Sequence, residues 1–103
     1  MGDFFRHAYE NHAELFLSGH HHSYQRFGLL NDAYAPAADG VRPIVSGAGG
    51  TSFSTFAATN RTEYRQNTEN GAVRLNLSSN GYSGAFVNIG GATLDSFTGT
   101  CRD

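Results

Sequence analysis

Three consecutive histidines, His20, His21 and His22, are the residues of this chain whose type and spacing could do chemistry. In an extended segment alternate side chains share a face, so we expect His20 and His22 to point the same way and His21 the opposite way. Two such imidazoles can bind one ion together, or one ion each of a pair about 3.5 to 4 Å apart, and the spacing leaves both arrangements open. The segment indicates metal-assisted hydrolysis.

Two further side chains beside the histidines favour an anionic substrate. Tyr24 and Arg26 follow the triplet at alternate positions. A guanidinium and a phenol next to a metal suit a substrate such as a phosphate ester. Iron, zinc and manganese all accept imidazole together with carboxylate, so the metal itself stays open. A bare histidine triplet in a solvated loop is the alternative interpretation.

The elements around the histidines must position them. Leu15–Ser18 is a short apolar run that ends at Gly19, which predicts a buried strand in a central parallel position. Before it, Asp3 is expected to cap a helix that ends near residues 11–13. The apolar positions Phe4, Phe5, Ala8 and Tyr9 are expected to share one face of that helix. The histidines then begin a loop.

The remainder of the chain predicts strands joined by loops. Residues 41–46 read as a second strand, in which Pro43 favours an edge position or a strand start. Residues 31–40 and 51–70 read as loops. Residues 72–77 and 82–89 alternate as two strands of a hairpin, joined by a type I′ turn at Asn80-Gly81. Residues 93–97 are a possible third strand after Gly90-Gly91. These elements predict a β-rich α/β (α+β) fold with a C-terminal antiparallel hairpin.

Composition excludes two classes of partner. The formal net charge of −2, with basic residues scattered along the chain, gives no stripe that would bind nucleic acid. No apolar stretch approaches the roughly 20 residues that span a bilayer, so we expect no membrane span.

Cys101 is the only cysteine and cannot form an internal disulfide. The sequons at Asn60 and Asn76 are short patterns that often arise by chance.

The stretch Leu17-Ser18-Gly19-His20-His21-His22-Ser23-Tyr24-Gln25-Arg26 resembles the last metal-binding motif of calcineurin-like metallophosphoesterases. It is most similar to the Gly-His-x-His-x-Tyr-Glu-Arg form of purple acid phosphatase-like enzymes. Residues 41–52 and 71–101 also resemble the terminal part of that family. The resemblance implies that residues 1–103 are a single partial domain, the carboxy-terminal portion of a β-sandwich flanked by helices.

The resemblance also implies a site. His20 and His22 match the two metal ligands of the motif, one on each metal of a dinuclear Fe, Zn or Mn centre that activates water for attack on phosphorus. His21, Tyr24 and Arg26 match positions beside the metals or the substrate, and Gln25 stands where the family has Glu. The family's earlier motifs are absent, since none of the aspartates is followed two places on by histidine. We expect this chain alone to be inactive without the missing amino-terminal part.

Two other interpretations stay open. One is a non-catalytic metal-binding or interaction module that keeps the histidines without chemistry, and the other is a structural β-rich piece with solvated histidines. An Asp-x-His strand end and a Gly-Asn-His motif upstream in the same reading frame would favour the enzyme. By analogy with relatives that share this ending, we expect a secreted or periplasmic protein. Asn11-His12 and His7 are expected to be structural, with the former lying in the helix.

Overall fold

The computed structural model describes residues 2–56 and 62–101, which form one helix and seven strands. The elements in chain order are α1 (Gly2–Glu10), β1 (Leu15–Ser18), β2 (Tyr24–Phe27), β3 (Arg42–Ser46), β4 (Thr62–Gln66), β5 (Gly71–Leu77), β6 (Gly81–Asn88) and β7 (Thr93–Thr100). This part of the chain is mostly β-sheet, as predicted.

The first sheet has the strand order β1-β3-β2-β4. β1 runs parallel to β3, while β2 runs antiparallel to both β3 and β4. The predicted parallel strand at Leu15–Ser18 is therefore confirmed, but its central position is wrong. β1 forms an edge of the sheet, and Leu17 is 55% exposed there. Leu15 and Phe16 pack against two different hydrophobic clusters, one on each face of the strand, so the apolar run does not require a strand partner on each side.

β3 is an interior strand of the first sheet. Pro43 is its second residue, and the pairing of β2 with β3 covers only Ile44, Val45 and Ser46. Pro43 therefore needs no amide proton for β2, which explains how a proline is tolerated in an interior strand. The strand-start alternative for Pro43 is confirmed and the edge alternative is wrong.

Two strands of the first sheet were not predicted from the sequence. β2 begins at Tyr24, directly after the histidines, and β4 lies inside residues 51–70, which we expected to be loop throughout. The side chains of β4 are Thr, Glu, Tyr, Arg and Gln, so the strand has no apolar alternation. It forms because its backbone pairs with β2 from Tyr24↔Gln66 to Phe27↔Thr62.

The second sheet is an antiparallel meander with the order β5-β6-β7. The predicted hairpin is confirmed, and the third strand extends to Thr100. The predicted type I′ turn is wrong, because Asn80 and Gly81 both lack the positive φ that this turn requires. Instead the Ser78 amide donates to the Gly81 carbonyl, and the Ser78 hydroxyl bonds both backbone groups of Gly81. Gly91 supplies the left-handed residue of the next turn, with φ 89°.

The two sheets pack against each other through a core with contributions from both. Its buried members are Tyr24, Ile44, Ala48, Tyr82, Phe86 and Phe97. Tyr24 of β2 is stacked on Phe86 of β6, with ring centroids 4.4 Å apart. Stacked and buried aromatic rings contribute more to the stability of the fold than the burial of their surface area alone. This contact joins the strand after the histidines to the second sheet.

The helix packs on the first sheet through Phe5, which contacts Phe16 at a centroid distance of 5.5 Å. Phe4 is 72% exposed, so its predicted place on the buried face is wrong. Asp3 lies inside the first turn rather than at the cap, because α1 already includes Gly2. Asn11-His12 lies after the helix and not within it.

His12 closes the helix with φ 62°. Its amide donates to the Tyr9 carbonyl, and the amide of Ala13 donates to the Ala8 carbonyl, which is the hydrogen-bond pattern of a Schellman motif. This position usually holds glycine, since a β-carbon disfavours the left-handed region. The structural interpretation of Asn11-His12 agrees with this capping role.

Candidate functional site

The histidines lie at the carboxyl edge of the first sheet. Residues 20–23, the histidine segment, follow β1, and residues 47–56 follow β3. Because β1 and β3 are parallel neighbours, the loops after both strands emerge at the same edge. Carboxyl ends of adjacent parallel strands commonly carry binding sites. The sheet topology thus brings residues 47–56 to the histidines.

Gly47 lets the two loops approach each other closely. A β-carbon at this position would overlap the carbonyl oxygens of Gly19 and His21. The Gly47 amide also donates to the Ser23 carbonyl at 2.8 Å. Only glycine fits between these backbone groups without displacing them. Gly47 therefore sets the distance between the histidine segment and the loop after β3.

The histidine segment is bent rather than extended. The Ser23 amide donates to the His21 carbonyl at 2.9 Å, a bond between residues two apart that forms a γ-turn at His22. Residues 20–23 have no strand conformation. The expectation of an extended segment is wrong here, so strict alternation does not decide the directions of the three imidazoles. The hydrogen bonds of His21 and His22 fix the directions of those two rings.

His22 is held by a second loop segment, residues 52–56, which we call the covering loop. Its Nδ1 lies 3.0 Å from the Ser52 carbonyl oxygen. Its amide donates to Ser54 Oγ at 3.0 Å, and the Ser54 amide donates to the His22 carbonyl at 3.0 Å. A carbonyl oxygen only accepts, so Nδ1 carries the proton, and in the neutral ring the lone pair is on Nε2. This is the tautomer in which Nε2 can ligate a metal.

His20 is exposed, and its ring makes no hydrogen bond to another of the described residues. Within that set, neither ring nitrogen has a hydrogen-bond partner that would compete with a ligand. An imidazole of this kind is available to a ligand without first breaking an internal contact. The two predicted metal ligands therefore differ, since His22 is oriented by the protein and His20 is not.

His21 is held on both sides. Its Nδ1 lies 2.7 Å from Ser23 Oγ and its Nε2 lies 3.1 Å from the Thr55 carbonyl oxygen. The ring is also stacked on Phe56, at 5.7 Å and an interplanar angle of 8°. Both nitrogens of His21 are occupied. The sequence interpretation of His21 as a residue beside the metals, not a ligand, is compatible with this arrangement.

Gln25 completes the buried side of the histidine segment. Its Nε2 donates to Ser23 Oγ at 3.1 Å and lies 3.3 Å from His21 Nδ1. Gln25 is 8% exposed and Ser23 is fully buried. The burial of Ser23 removes it as a nucleophile, although its hydroxyl contacts an imidazole. Gln25, Ser23 and His21 form one polar network at the start of β2.

Tyr24 and Arg26 point to the opposite face of β2, where they contact Asp95 of β7. The Tyr24 hydroxyl donates to Asp95 Oδ2 at 2.7 Å. Arg26 binds the same carboxylate through two nitrogens, Nε at 2.8 Å and Nη2 at 3.1 Å. We call these three residues the inter-sheet clamp. The structure thus places the two predicted substrate candidates in the contact between the sheets.

Burial acts most strongly on the pKa of Tyr24, and the hydrogen bond to Asp95 acts most strongly on the pKa of Arg26. Burial raises the pKa of Tyr24 well above its ordinary range, and the hydrogen bond to Asp95 raises it further. The hydrogen bond to Asp95 also raises the pKa of Arg26. Glu63 on β4 contacts Arg26 and accepts from Arg42 Nη1 at 3.1 Å. The cations of this face are therefore neutralised by carboxylates from β4 and β7.

Sequence reasoning missed Asp95, Ser52 and Thr55. Asp95 lies on the same face of β7 as the buried Phe97, two residues away. A lone carboxylate on an apolar face was the available signal, because a buried charge needs a partner. Ser52 and Thr55 act through backbone carbonyl oxygens, which every residue has. Their side-chain types could not have indicated this contact.

Among residues 2–56 and 62–101, no group of three or more His, Cys, Asp or Glu side chains is arranged to hold a metal. Two imidazoles leave a zinc-like ion at least two ligands short of a tetrahedron.

Cys101 is free and exposed. The first sequon asparagine, Asn60, lies outside the described residues, and Asn76 is exposed on β5. In the described residues no helix is long and apolar enough to cross a membrane.

Comparison of the chain with protein-family models finds no match, and comparison with curated proteins finds none either. The resemblance to metallophosphoesterases therefore depends on the sequence motifs alone. The fold is a small, mostly β-sheet unit with two sheets, one of them fully antiparallel.

Proposed function

We propose that this chain supplies two imidazole ligands, His20 and His22, to the metal centre of a phosphoester hydrolase of the purple acid phosphatase-like type. The observation that carries the proposal is the hydrogen bond from His22 Nδ1 to the Ser52 carbonyl, at the carboxyl edge of two parallel strands. Metal-binding histidines almost always donate their other ring N–H to such an acceptor, which orients the ring.

The residues present fit an iron, zinc or manganese centre as a partial ligand set. His22 Nε2 and the exposed ring of His20 are the donors, and carboxylates from an amino-terminal part of the catalytic domain would complete the coordination. When bound, the dinuclear centre would acidify water and stabilise charge on the phosphoryl group of a phosphate ester substrate. His21 and Gln25 would hold the segment that presents the ligands.

One observation favours a second function, a metal-binding module without catalysis. Arg26 is committed to Asp95 and Glu63, and Tyr24 is fully buried. Neither is available to hold phosphoryl oxygens in this arrangement. If the chain binds metal only, the histidine segment would keep its ligands while the substrate contacts implied by the motif would be absent.

Titration of the chain with Zn²⁺, followed by NMR of the histidine rings, tests the proposal. We expect the resonances of His20 and His22 to shift, with weak affinity because two ligands are too few. His22→Ala and His20→Ala should each abolish the response. His7→Ala is the matched control, because the His7 side chain is exposed on α1, where its ring lies 4.0 Å from the Glu10 carboxylate.

Equal effects of all three substitutions would overturn the assignment of His20 and His22. An assay with an aryl phosphate separates the two functions. We expect negligible hydrolysis by this chain alone and metal-dependent hydrolysis once it is joined to a segment that carries the carboxylate ligands. Metal binding without hydrolysis in the joined protein would select the non-catalytic module.

A further inference from the structure

The contacts of the His21 ring indicate a role that the sequence motif does not assign to it. We propose that His21 is a positioning residue. It holds the histidine segment against the covering loop and thereby maintains the hydrogen bond from His22 Nδ1 to the Ser52 carbonyl. The inference rests on the proposed function, because it concerns how the chain presents a metal ligand. It assigns no metal contact to His21 itself.

The two nitrogens of His21 have different jobs. Nε2 faces the Thr55 carbonyl at 3.1 Å, and since a carbonyl oxygen only accepts, Nε2 carries the proton. Nδ1 is then the acceptor, and it receives a hydrogen bond from Ser23 or from Gln25. One side of the ring therefore holds the buried start of β2. The other side holds the covering loop.

Aromatic stacking holds the plane of the His21 ring. Phe56 lies parallel to the His21 ring, and the Arg65 guanidinium lies 4.5 Å from the centroid of Phe56. The stacked Phe56 ring thus covers one face of the His21 ring, while the hydrogen bond to Thr55 stays at the exposed surface. The stacking favours one orientation of the imidazole plane, in which Nε2 faces the Thr55 carbonyl.

The covering loop has no regular secondary structure, so its position depends on its individual contacts. Ser54 pairs with the backbone of His22, and its carbonyl accepts from Asn67 Nδ2 at 2.9 Å. Ser52 and Thr55 flank that point and are held by the rings of His22 and His21. Removal of the His21 contact frees one flank, and the loop can then rotate about Ser54. The Ser52 carbonyl would leave His22 Nδ1 as it does so.

Two substitutions separate the two sides of the ring. His21→Gln can place an amide N–H where Nε2 lies and so keep a donor to Thr55. His21→Asn can reach only the position of Nδ1, which keeps the contact with Ser23 but loses Thr55. His7→Gln makes the same chemical change at an exposed helical histidine and is the matched control.

The readout is the tautomer of the His22 ring, that is, which ring nitrogen carries the proton. It is measured from the ¹⁵N chemical shifts of the ring in the full chain, assigned by comparison with His22→Ala. In the unsubstituted chain and in His21→Gln and His7→Gln we expect the Nδ1–H form to dominate. In His21→Asn we expect a mixture of both tautomers. The affinity for Zn²⁺ should fall about tenfold in His21→Asn and by less than about threefold in His21→Gln, as for other partners of metal ligands.

A His22 ring that stays in the Nδ1–H form in folded His21→Asn would overturn the positioning role. Equal loss in His21→Asn and His21→Gln would also overturn it, because it would show that the contact with Thr55 is not what matters. A chain that binds no Zn²⁺ would refute the proposed function instead. The tautomer measurement needs no metal, so the two failures are distinguishable.

Discussion

The two faces of β2 carry opposite halves of one sequence motif. Gln25, together with the preceding Ser23, supports the histidine segment from one face, whereas Tyr24 and Arg26 lie on the face toward the second sheet and form the inter-sheet clamp with Asp95. The first region is held by single hydrogen bonds to a loop. The second combines a bidentate ion pair with stacked aromatic rings. A motif that is continuous in sequence can thus divide its work between ligand presentation and cohesion of the core.

The difference has a thermodynamic consequence. The clamp lies between the sheets, so the loss of Asp95 removes the acceptor of the buried Tyr24 hydroxyl and the bidentate partner of Arg26. The ring contacts of His21 with Thr55 and of His22 with Ser52 lie at the surface, so water can replace them when they are lost. We therefore expect substitutions in the clamp to change the global stability and substitutions at the histidine segment to act mainly on its local conformation.

The largest effect is expected for Asp95→Ala. The side chain of Asp95 is 8% exposed and that of Arg26 is 17% exposed, so the substitution leaves the Tyr24 hydroxyl without its acceptor and leaves Arg26 paired with Glu63 alone. We expect a loss of about 3 to 5 kcal/mol in the free energy of unfolding, measured by urea denaturation. Asp39→Ala is the control, because Asp39 is exposed and accepts one hydrogen bond from Tyr9. Similar losses for both variants would show that the clamp has no special role.

A smaller effect is expected for Gly47→Ala. The new β-carbon would overlap the carbonyl oxygens of Gly19 and His21 and push the two loops apart. We expect a loss of about 1 to 3 kcal/mol in urea denaturation, as for other overpacked sites, with amide shift changes concentrated at residues 19–23. Gly49→Ala is the matched control, since a β-carbon there has no neighbour within 4 Å. If both variants behave alike, the close approach is not limiting.

The smallest effect concerns alkaline pH. The pKa of Tyr24 is raised from its ordinary value of 10.0, first by burial and then by the hydrogen bond to Asp95. The unfolded chain releases this proton at a lower pH than the folded chain, so the contribution is fully present below about pH 10 and is lost as the pH rises toward the folded pKa. The expected slope is about 1.4 kcal/mol per pH unit for one proton.

Denaturation curves recorded between pH 9 and pH 11 measure this slope. Tyr24→Phe should make the free energy of unfolding less dependent on pH in this range, at a cost in stability at neutral pH from the lost hydrogen bond. Tyr34→Phe keeps the ring that stacks on Phe5 and serves as the control. An unchanged slope in Tyr24→Phe would show that the clamp does not restrict ionisation of the phenol.

Sequence patterns predicted the elements whose signals are local. The apolar run at Leu15–Ser18, the alternation of the hairpin and the third strand after Gly90-Gly91 all appear in the structure. The patterns failed at β4, whose polar residues become a strand only because β2 offers a backbone partner. They failed again at the Asn80-Gly81 turn, where the Ser78 hydroxyl supplies the hydrogen bonds that close the hairpin.

The sequence by itself determined which side chains could do chemistry and that the three histidines follow a strand. It did so because residue type and hydrophobic period act over a few neighbouring positions. Only the tertiary structure decided the partner of each side chain. Arg26 meets Asp95 from 69 positions away, and His22 meets the Ser52 carbonyl from 30 positions away. Such contacts depend on how the sheets pack and where the loops emerge, which no local pattern records.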